Sequence, residues 1–171
     1  MIGGPAGSGK TTLALRAVAQ CQAHGGRAAL LDADYTFCGP RAASLHVDIS
    51  KLLVVQPCSI EPALEGVQAV SLDLLVIDSI FLLDGNLPKA LSNLSYWTWK
   101  TNTAVIITMM THSSYWDERL IIRSPRWSAA LRYYSSMCLN IRSASEATSA
   151  LVKVTKNRCA PPYTEAIVHI G

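Results

Sequence analysis

The sequence predicts an α/β fold in which a mostly parallel sheet is flanked by helices. Two observations predict it: short, almost unbroken apolar runs alternate with helical stretches, and a glycine-rich loop leads directly into the first of those helices. Apolar runs without polar alternation are what strands covered on both faces require. At 171 residues the chain is long enough to bury a real core, and a single domain over residues 1–171 is expected.

The loop Gly4-Pro5-Ala6-Gly7-Ser8-Gly9-Lys10-Thr11-Thr12 fits the phosphate-loop pattern G-x-x-x-x-G-K-[ST] at every fixed position. Glycines let the backbone close into a concave nest of N–H groups, and the following helix adds the partial positive charge of its N-terminus. Lys10 would reach β/γ-phosphates, and Thr11 would place its hydroxyl on a Mg²⁺ ion that bridges them. The alternative is a glycine-rich turn that matches by chance. A nucleotide site is the first expectation.

The helical spacing of Leu13, Ala17 and Cys21, ended by Gly25-Gly26, predicts a helix from Thr11 to His24. Arg27 to Asp34 then reads as a buried strand that delivers Asp32 and Asp34 at its C-terminal end, where open α/β sheets bind ligands. Pro40 leads a short helix to Leu45, and Leu52 to Gln56 is a strand stopped by Pro57. Ile60 to Ser71 reads as a long helix and Leu72 to Ser79 as a third buried strand. That strand ends in Asp78, the Walker B pattern, and the acid would hold Mg²⁺ through its water shell. A helix from Pro88 to Lys100 carries Tyr96, Trp97 and Trp99, read as packing residues rather than a stacking platform. Thr103 to Met109 is a fourth strand, and three more are read at Leu131–Ile141, Leu151–Lys156 and Tyr163–Ile170, the last two parted by Pro161-Pro162.

Between them, Thr111 to Ser128 lacks periodicity and mixes Tyr115, Trp116 and Trp127 with Arg119, Arg123 and Arg126. Arginines supply phosphate contacts and aromatics supply stacking faces, the composition of a single-stranded nucleic-acid contact. A surface loop whose aromatics cover the edge of the core has the same composition. The formal charge of +3 is unevenly placed: residues 1–110 carry 7 basic and 8 acidic side chains, and residues 111–171 carry 8 and 4. A basic second half suits a polyanionic partner or a merely solvated surface. The five cysteines are scattered without C-x-x-C spacing, so neither a disulfide framework nor a zinc site is expected, and all are read as reduced core thiols. No run approaches the roughly 18 apolar residues of a membrane span. The loop starts too early for a secretory leader, and the expected location is cytoplasmic.

With these residues in view, the chain resembles the bacterial RecA recombinase family over its ATPase core, from Gly4 to Gly171. The phosphate loop, Leu31-Asp32-Ala33-Asp34, Val47-Asp48-Ile49, Leu52-Leu53, Gln56-Pro57 and Val76-Ile77-Asp78-Ser79 agree in order. They are followed by Ala130-Leu131-Arg132-Tyr133-Tyr134, Leu139-Asn140-Ile141-Arg142 and Val152-Lys153-Val154-Thr155-Lys156-Asn157-Arg158. The last two blocks are absent from generic phosphate-loop proteins. The resemblance implies a RecA-like P-loop NTPase core with antiparallel C-terminal strands. It also implies ATP and Mg²⁺ as cofactors, a place in homologous recombination and DNA repair, and DNA-dependent ATP hydrolysis.

It further implies roles for single residues. Asp34 stands where the family has a glutamate that activates the attacking water, and its side chain is one methylene shorter. Arg41 stands where a tyrosine stacks on adenine, and a guanidinium can also stack. Met110 replaces a glutamine that senses the γ-phosphate, and a thioether cannot make that hydrogen bond. Lys156 and Arg158 match the basic pair that reaches a neighbouring subunit's ATP. The segment between Ser79 and Thr103 is shorter than in the family, which removes most of the first DNA loop. The second DNA loop, Thr111 to Ala129, has lost its glycines, with Arg126-Trp127-Ser128 where a Gly-Gly pair is expected. The N-terminal assembly segment and the C-terminal domain are expected to be missing, which would weaken a filament or ring. The strand before Gly4 is reduced to Met1-Ile2-Gly3, and the sheet is expected to lack one strand unless the true start lies earlier.

The leading reading is thus an ATP-binding, DNA-dependent ATPase that binds single-stranded DNA. The alternative is a weakly or non-hydrolysing module that recruits a repair or mutagenesis partner. A small-molecule kinase on the same loop needs an arginine lid and an acceptor pocket, and the C-terminal strands argue against it.

Overall fold

The computed structural model describes residues 1–80, 83–111, 125–144 and 148–170, with the backbone alone for 125–128. They form two compact units, Thr11–Thr108 and, from two separate stretches, Met1–Lys10 with Met109–Gly171.

The first unit holds strands β2 (Ala28–Asp32), β3 (Leu52–Val55), β4 (Leu74–Asp78) and most of β5 (Ala104–Met110). All are parallel, in the order β3-β2-β4-β5. Their connections are helices, because parallel neighbours need a crossover: α2 (Gly39–Ser44), α3 (Ile60–Gln68) and α4 (Leu87–Thr101), with α1 (Lys10–Ala23) before β2. Period-two alternation sends Ala28, Leu30, Leu74 and Val76 to one face of the sheet, where they pack with Ala14, Leu15, Val18 and Ala19 of α1. Leu31, Leu75 and Ile77 belong to the opposite face and are fully buried as well. Burial on both faces is why these strands read as unbroken apolar runs.

α3 buries Ile60, Ala63, Leu64 and Val67, and α4 buries Leu87, Ala90, Leu91, Leu94 and Trp97, each the i, i+3, i+4, i+7 stripe of an amphipathic helix. Each fully buried leucine among these contributes about 1.5–3 kcal/mol. α4 starts where Asn86 accepts the Lys89 N–H (3.2 Å) and ends in a left-handed Asn102. Among the helix's three aromatics only Trp97 is a packing residue. Tyr96 and Trp99 lie off the stripe, 64% and 79% exposed, which corrects the packing expectation for both.

The second unit contains β1 (Ile2–Gly4), α5 (Pro125–Tyr134), β6 (Met137–Ser143), β7 (Ser149–Asn157) and β8 (Glu165–His169). β1 pairs in parallel with β6, Ile2 opposite Leu139, and β6, β7 and β8 form antiparallel pairs in that order. The expected antiparallel C-terminal strands are therefore present on an otherwise parallel architecture. Two expectations are corrected. The sheet does not lack the strand before Gly4, because Ile2 to Gly4 suffice to pair. The strand expected from Leu131 starts only at Met137, and Leu131 to Tyr134 instead close α5, which also takes the last residues of the expected loop. Pro125 suits a first helical turn, and Ala129-Ala130-Leu131-Arg132 are strong helix formers.

The cysteines are likewise corrected: Cys138 is buried, Cys21 half-buried, and Cys38, Cys58 and Cys159 are exposed. Among the described residues no helix is long and apolar enough to cross a membrane.

Candidate nucleotide-binding site

β1 delivers the chain into the turn Pro5–Gly9, and α1 begins at Lys10. Gly7 and Gly9 hold φ of +69° and +94°, the left-handed region that the concave turn needs and that other residues adopt only with strain. Gly4 is required for a different reason: a Cβ there would collide with the Ile141 carbonyl oxygen and lie 2.7 Å from Ser8 Oγ. Ser8 is fully buried, yet its Oγ has no hydrogen-bond partner among the described residues. Buried hydroxyls are nearly always bonded, so this orphan is an exception within the turn. Lys10 Nζ donates to the Pro5 carbonyl oxygen at 2.7 Å, folding the cation back over the turn. A phosphate would find there the first N–H groups of α1 and a charge held within the loop. Thr12 is half-buried on α1, and Ala6 is exposed.

The carboxylates cluster at the C-terminal ends of β2 and β4. The chain leaves β2 for β3 on one side and returns to β4 on the other, so this is a switch point of the parallel sheet. Asp32 and Asp78 stand opposite each other in the register. Asp32, almost fully buried, is consumed by structure: it accepts the Thr36 and Phe37 N–H groups at 3.1 and 3.0 Å and Gln56 Nε2 at 2.9 Å. Asp34 lies beyond the strand, half-buried, and its Oδ1 accepts the Ser79 N–H at 2.6 Å.

Asp78 is 7% exposed and accepts on both oxygens. Thr11 Oγ1 donates to Oδ2 at 2.6 Å, and Thr108 Oγ1 donates to Oδ1. Thr11 and Asp78, expected as the metal pair, are thus side by side. Thr108 was not foreseen; the sequence shows only a hydroxyl within an apolar strand, and strand register sets it level with Asp78. No group of three or more His, Cys, Asp or Glu side chains able to hold a metal occurs among the described residues. One hydroxyl beside one carboxylate suits Mg²⁺, which keeps waters and takes its remaining ligands from substrate phosphates.

Arg41 is exposed in the last turn of α2, and Met110 ends β5, half-exposed. Lys156 Nζ donates to the Arg132 and Tyr133 carbonyl oxygens and Arg158 Nη2 to Tyr133 O at 2.8 Å, so both cations sit on the C-terminal carbonyls of α5. Desolvation, then the Arg158 charge, lowers the Lys156 amine below its ordinary pKa. Tyr115, Trp116, Arg119 and Arg123 lie outside the described residues, and the side chains of Arg126 and Trp127 do as well.

Comparison with known proteins gives a consistent picture. The family described as the RecA N-terminal domain matches residues 1–93. Protein RecA of Acinetobacter baumannii is 33% identical over 202 aligned positions, covering 99% of this chain and 57% of that protein. Protein RecA of Leifsonia xyli is 36% identical over 198 positions, covering 96% and 55%. The chain therefore spans little more than half the length of these curated relatives. The alignments are longer than the 171-residue chain, so the relatives carry residues within the matched region that it lacks. Among solved structures, a RadB recombinase superposes with a TM-score of 0.79 at 19% identity, covering 99% of this chain and 86% of that one, a likeness of fold.

The loop's two kinds of glycine predict different costs. Gly4→Ala must move the Ile141 backbone and should cost about 1–3 kcal/mol of folding stability or more. Gly7→Ala meets nothing within 4 Å and should cost only its left-handed strain, about 1 kcal/mol. Denaturant unfolding of the two variants measures the difference, and equal costs would refute this packing account.

Proposed function

The chain belongs to the RecA family, and from that premise we propose that it binds Mg·ATP in its phosphate loop and hydrolyses it in DNA recombination and repair, stimulated by single-stranded DNA. The observation that most supports this reading is the set of groups at the start of α1. Lys10 is folded over the loop, and Thr11 sits on Asp78. Gly4 to Thr12 would cradle the phosphates, with Lys10 exchanging Pro5 O for a phosphate oxygen. Thr11 and Asp78 would hold Mg²⁺, which neutralises charge on the phosphate oxygens. Asp34 would orient the attacking water, Arg41 would stack on the base, and Lys156 with Arg158 would stabilise transferring charge on the ATP of a neighbouring copy.

Binding to the native state alone raises stability by RT ln(1 + [L]/Kd). Wild type should therefore melt higher in millimolar Mg·ATP, and Lys10→Ala should lose the shift. A wild-type protein whose melting ignores Mg·ATP overturns the reading.

A second reading, a weakly hydrolysing module that recruits a repair or mutagenesis partner, is favoured by Asp34 and Met110. The shorter Asp34 carboxylate already accepts the Ser79 N–H, and the half-exposed Met110 thioether has no strong acceptor to offer a γ-phosphate sensor. A misplacement of about 1 Å can cost roughly a hundredfold in rate. If the short side chain limits the chemical step, Asp34→Glu should raise turnover without tightening ATP binding, since only the transition state gains. Unchanged or lower turnover would favour the recruiting module.

Single-stranded DNA is the proposed polyanionic partner, with Arg119, Arg123 and Arg126 on phosphates and Tyr115, Trp116 and Trp127 as stacking faces. Alanine at the three arginines should flatten the salt dependence of binding, whereas Trp116→Ala should weaken it at all salt concentrations by about 1–3 kcal/mol. Titration of labelled single strands with a non-hydrolysable ATP analogue bound reads both effects. Identical isotherms for the three proteins would remove this segment from the proposed interface.

A further inference from the structure

We propose that Thr108 is a positioning residue for Mg²⁺, fixing which oxygen of Asp78 is presented beside Thr11; this rests on the Mg·ATP reading above. The parallel strands β4 and β5 are in register through Ile77 opposite Ile107, so Asp78 and Thr108 occupy the next level on neighbouring strands. Asp32 stands opposite Asp78 on the other side, which places an acid, an acid and a hydroxyl in one row across β2, β4 and β5. Thr108 is fully buried and lies between apolar Ile107 and Met109. A valine has the same shape and would fill such a strand position without a polar atom to satisfy. The hydroxyl has a specific use instead: it donates to Asp78 Oδ1, while Thr11 donates to Oδ2.

An aspartate carboxylate turns in a broad, two-fold torsional well, so one donor alone does not fix its plane. Two donors from different elements do. Thr11 is exposed and belongs to the phosphate loop, so its hydroxyl is the one that would give up Asp78 when a cation arrives. Thr108 has no such alternative and would remain the donor that holds the carboxylate. Mg²⁺ tolerates little departure from octahedral geometry, so a carboxylate free to turn would bind it poorly. Outer partners of metal ligands act in this way, and their loss typically lowers metal affinity about 10–100-fold.

The test follows binding of a fluorescent ATP analogue from EDTA through tens of millimolar Mg²⁺, together with melting of the ligand-free proteins. Thr108→Val should raise the Mg²⁺ concentration for half-maximal Mg-supported binding about tenfold or more, leave affinity in EDTA as in wild type, and titrate apart from Thr108→Ser, which keeps the donor and should follow wild type. Thr108→Ala and Thr108→Cys, which remove or weaken the donor with less crowding, carry the same expectation, so one poorly folded variant does not shelter the proposal. Coincident Mg²⁺ titrations of wild type and the donor-deficient variants would overturn the positioning role while leaving nucleotide binding intact. A wild type that binds no nucleotide would instead bring down the functional reading and this inference with it.

Discussion

Burying the Asp78 carboxylate at the end of β4 is the constraint on which the upper end of this sheet depends. Taking an ionised carboxylate out of water costs several kcal/mol unless donors replace the lost solvent. Asp78 is 7% exposed, and its donors come from two other elements, Thr11 on α1 and Thr108 on β5. That requirement fixes more than a side chain. α1 is oriented by the buried stripe Ala14, Leu15, Val18 and Ala19. Thr11 precedes Leu15 by four residues and Val18 by seven, so it stands at the N-terminal end of the same stripe. The hydrophobic packing that seats the helix therefore also aims its first-turn hydroxyl at the sheet, and the charged site is positioned by apolar contacts well away from it.

The neighbouring acid shows how environment divides chemically equal groups. Asp32 and Asp78 face each other in the register, but Asp32 is surrounded by donors from its own following turn and from Gln56. Those bonds hold the connection from β2 to α2. They leave Asp34, two residues later, as the acid beyond the strand, tied to the backbone of Ser79. Two carboxylates that arrive on one strand end are thus sorted into a structural one and one at the site's edge, by local turn geometry rather than by residue type.

Much of this was legible in the sequence because it rests on local pattern. The phosphate loop, the helix after it, and the apolar runs ending in Asp32 and Asp78 each announce themselves within about ten residues. Thr108 did not, because a threonine is an ordinary strand residue and its partner is chosen by strand register, which no local window contains. The orphaned Ser8 hydroxyl is invisible for the same reason. The strand expected over Leu131–Ile141 holds from Met137 onward and fails only at its start: aromatic residues favour strands in general, but here an alanine-rich turn started by Pro125 carries Tyr133 and Tyr134 as the end of α5. Tyr96 and Trp99 misled through composition alone, since the stripe set by Leu87, Leu91, Leu94 and Trp97 already leaves both on the outer side of α4.

The two cations at the end of β7 join that helix to the proposed chemistry. The last carbonyls of α5 have no partner within the helix, and its C-terminal end carries partial negative charge. Lys156 and Arg158 meet both needs at once, sharing the Tyr133 oxygen. Desolvation, and then the neighbouring Arg158 charge, lowers the Lys156 amine, while the partial negative charge of a helix C-terminus favours both cations. The pair therefore does not project as independent cations. Any role on an external phosphate requires it to exchange helix carbonyls for phosphate oxygens, and α5 is continuous with the basic, aromatic segment that precedes it in sequence. Lys156 also bonds the Arg132 oxygen, so both charges depend on the carbonyls of the last turn of α5.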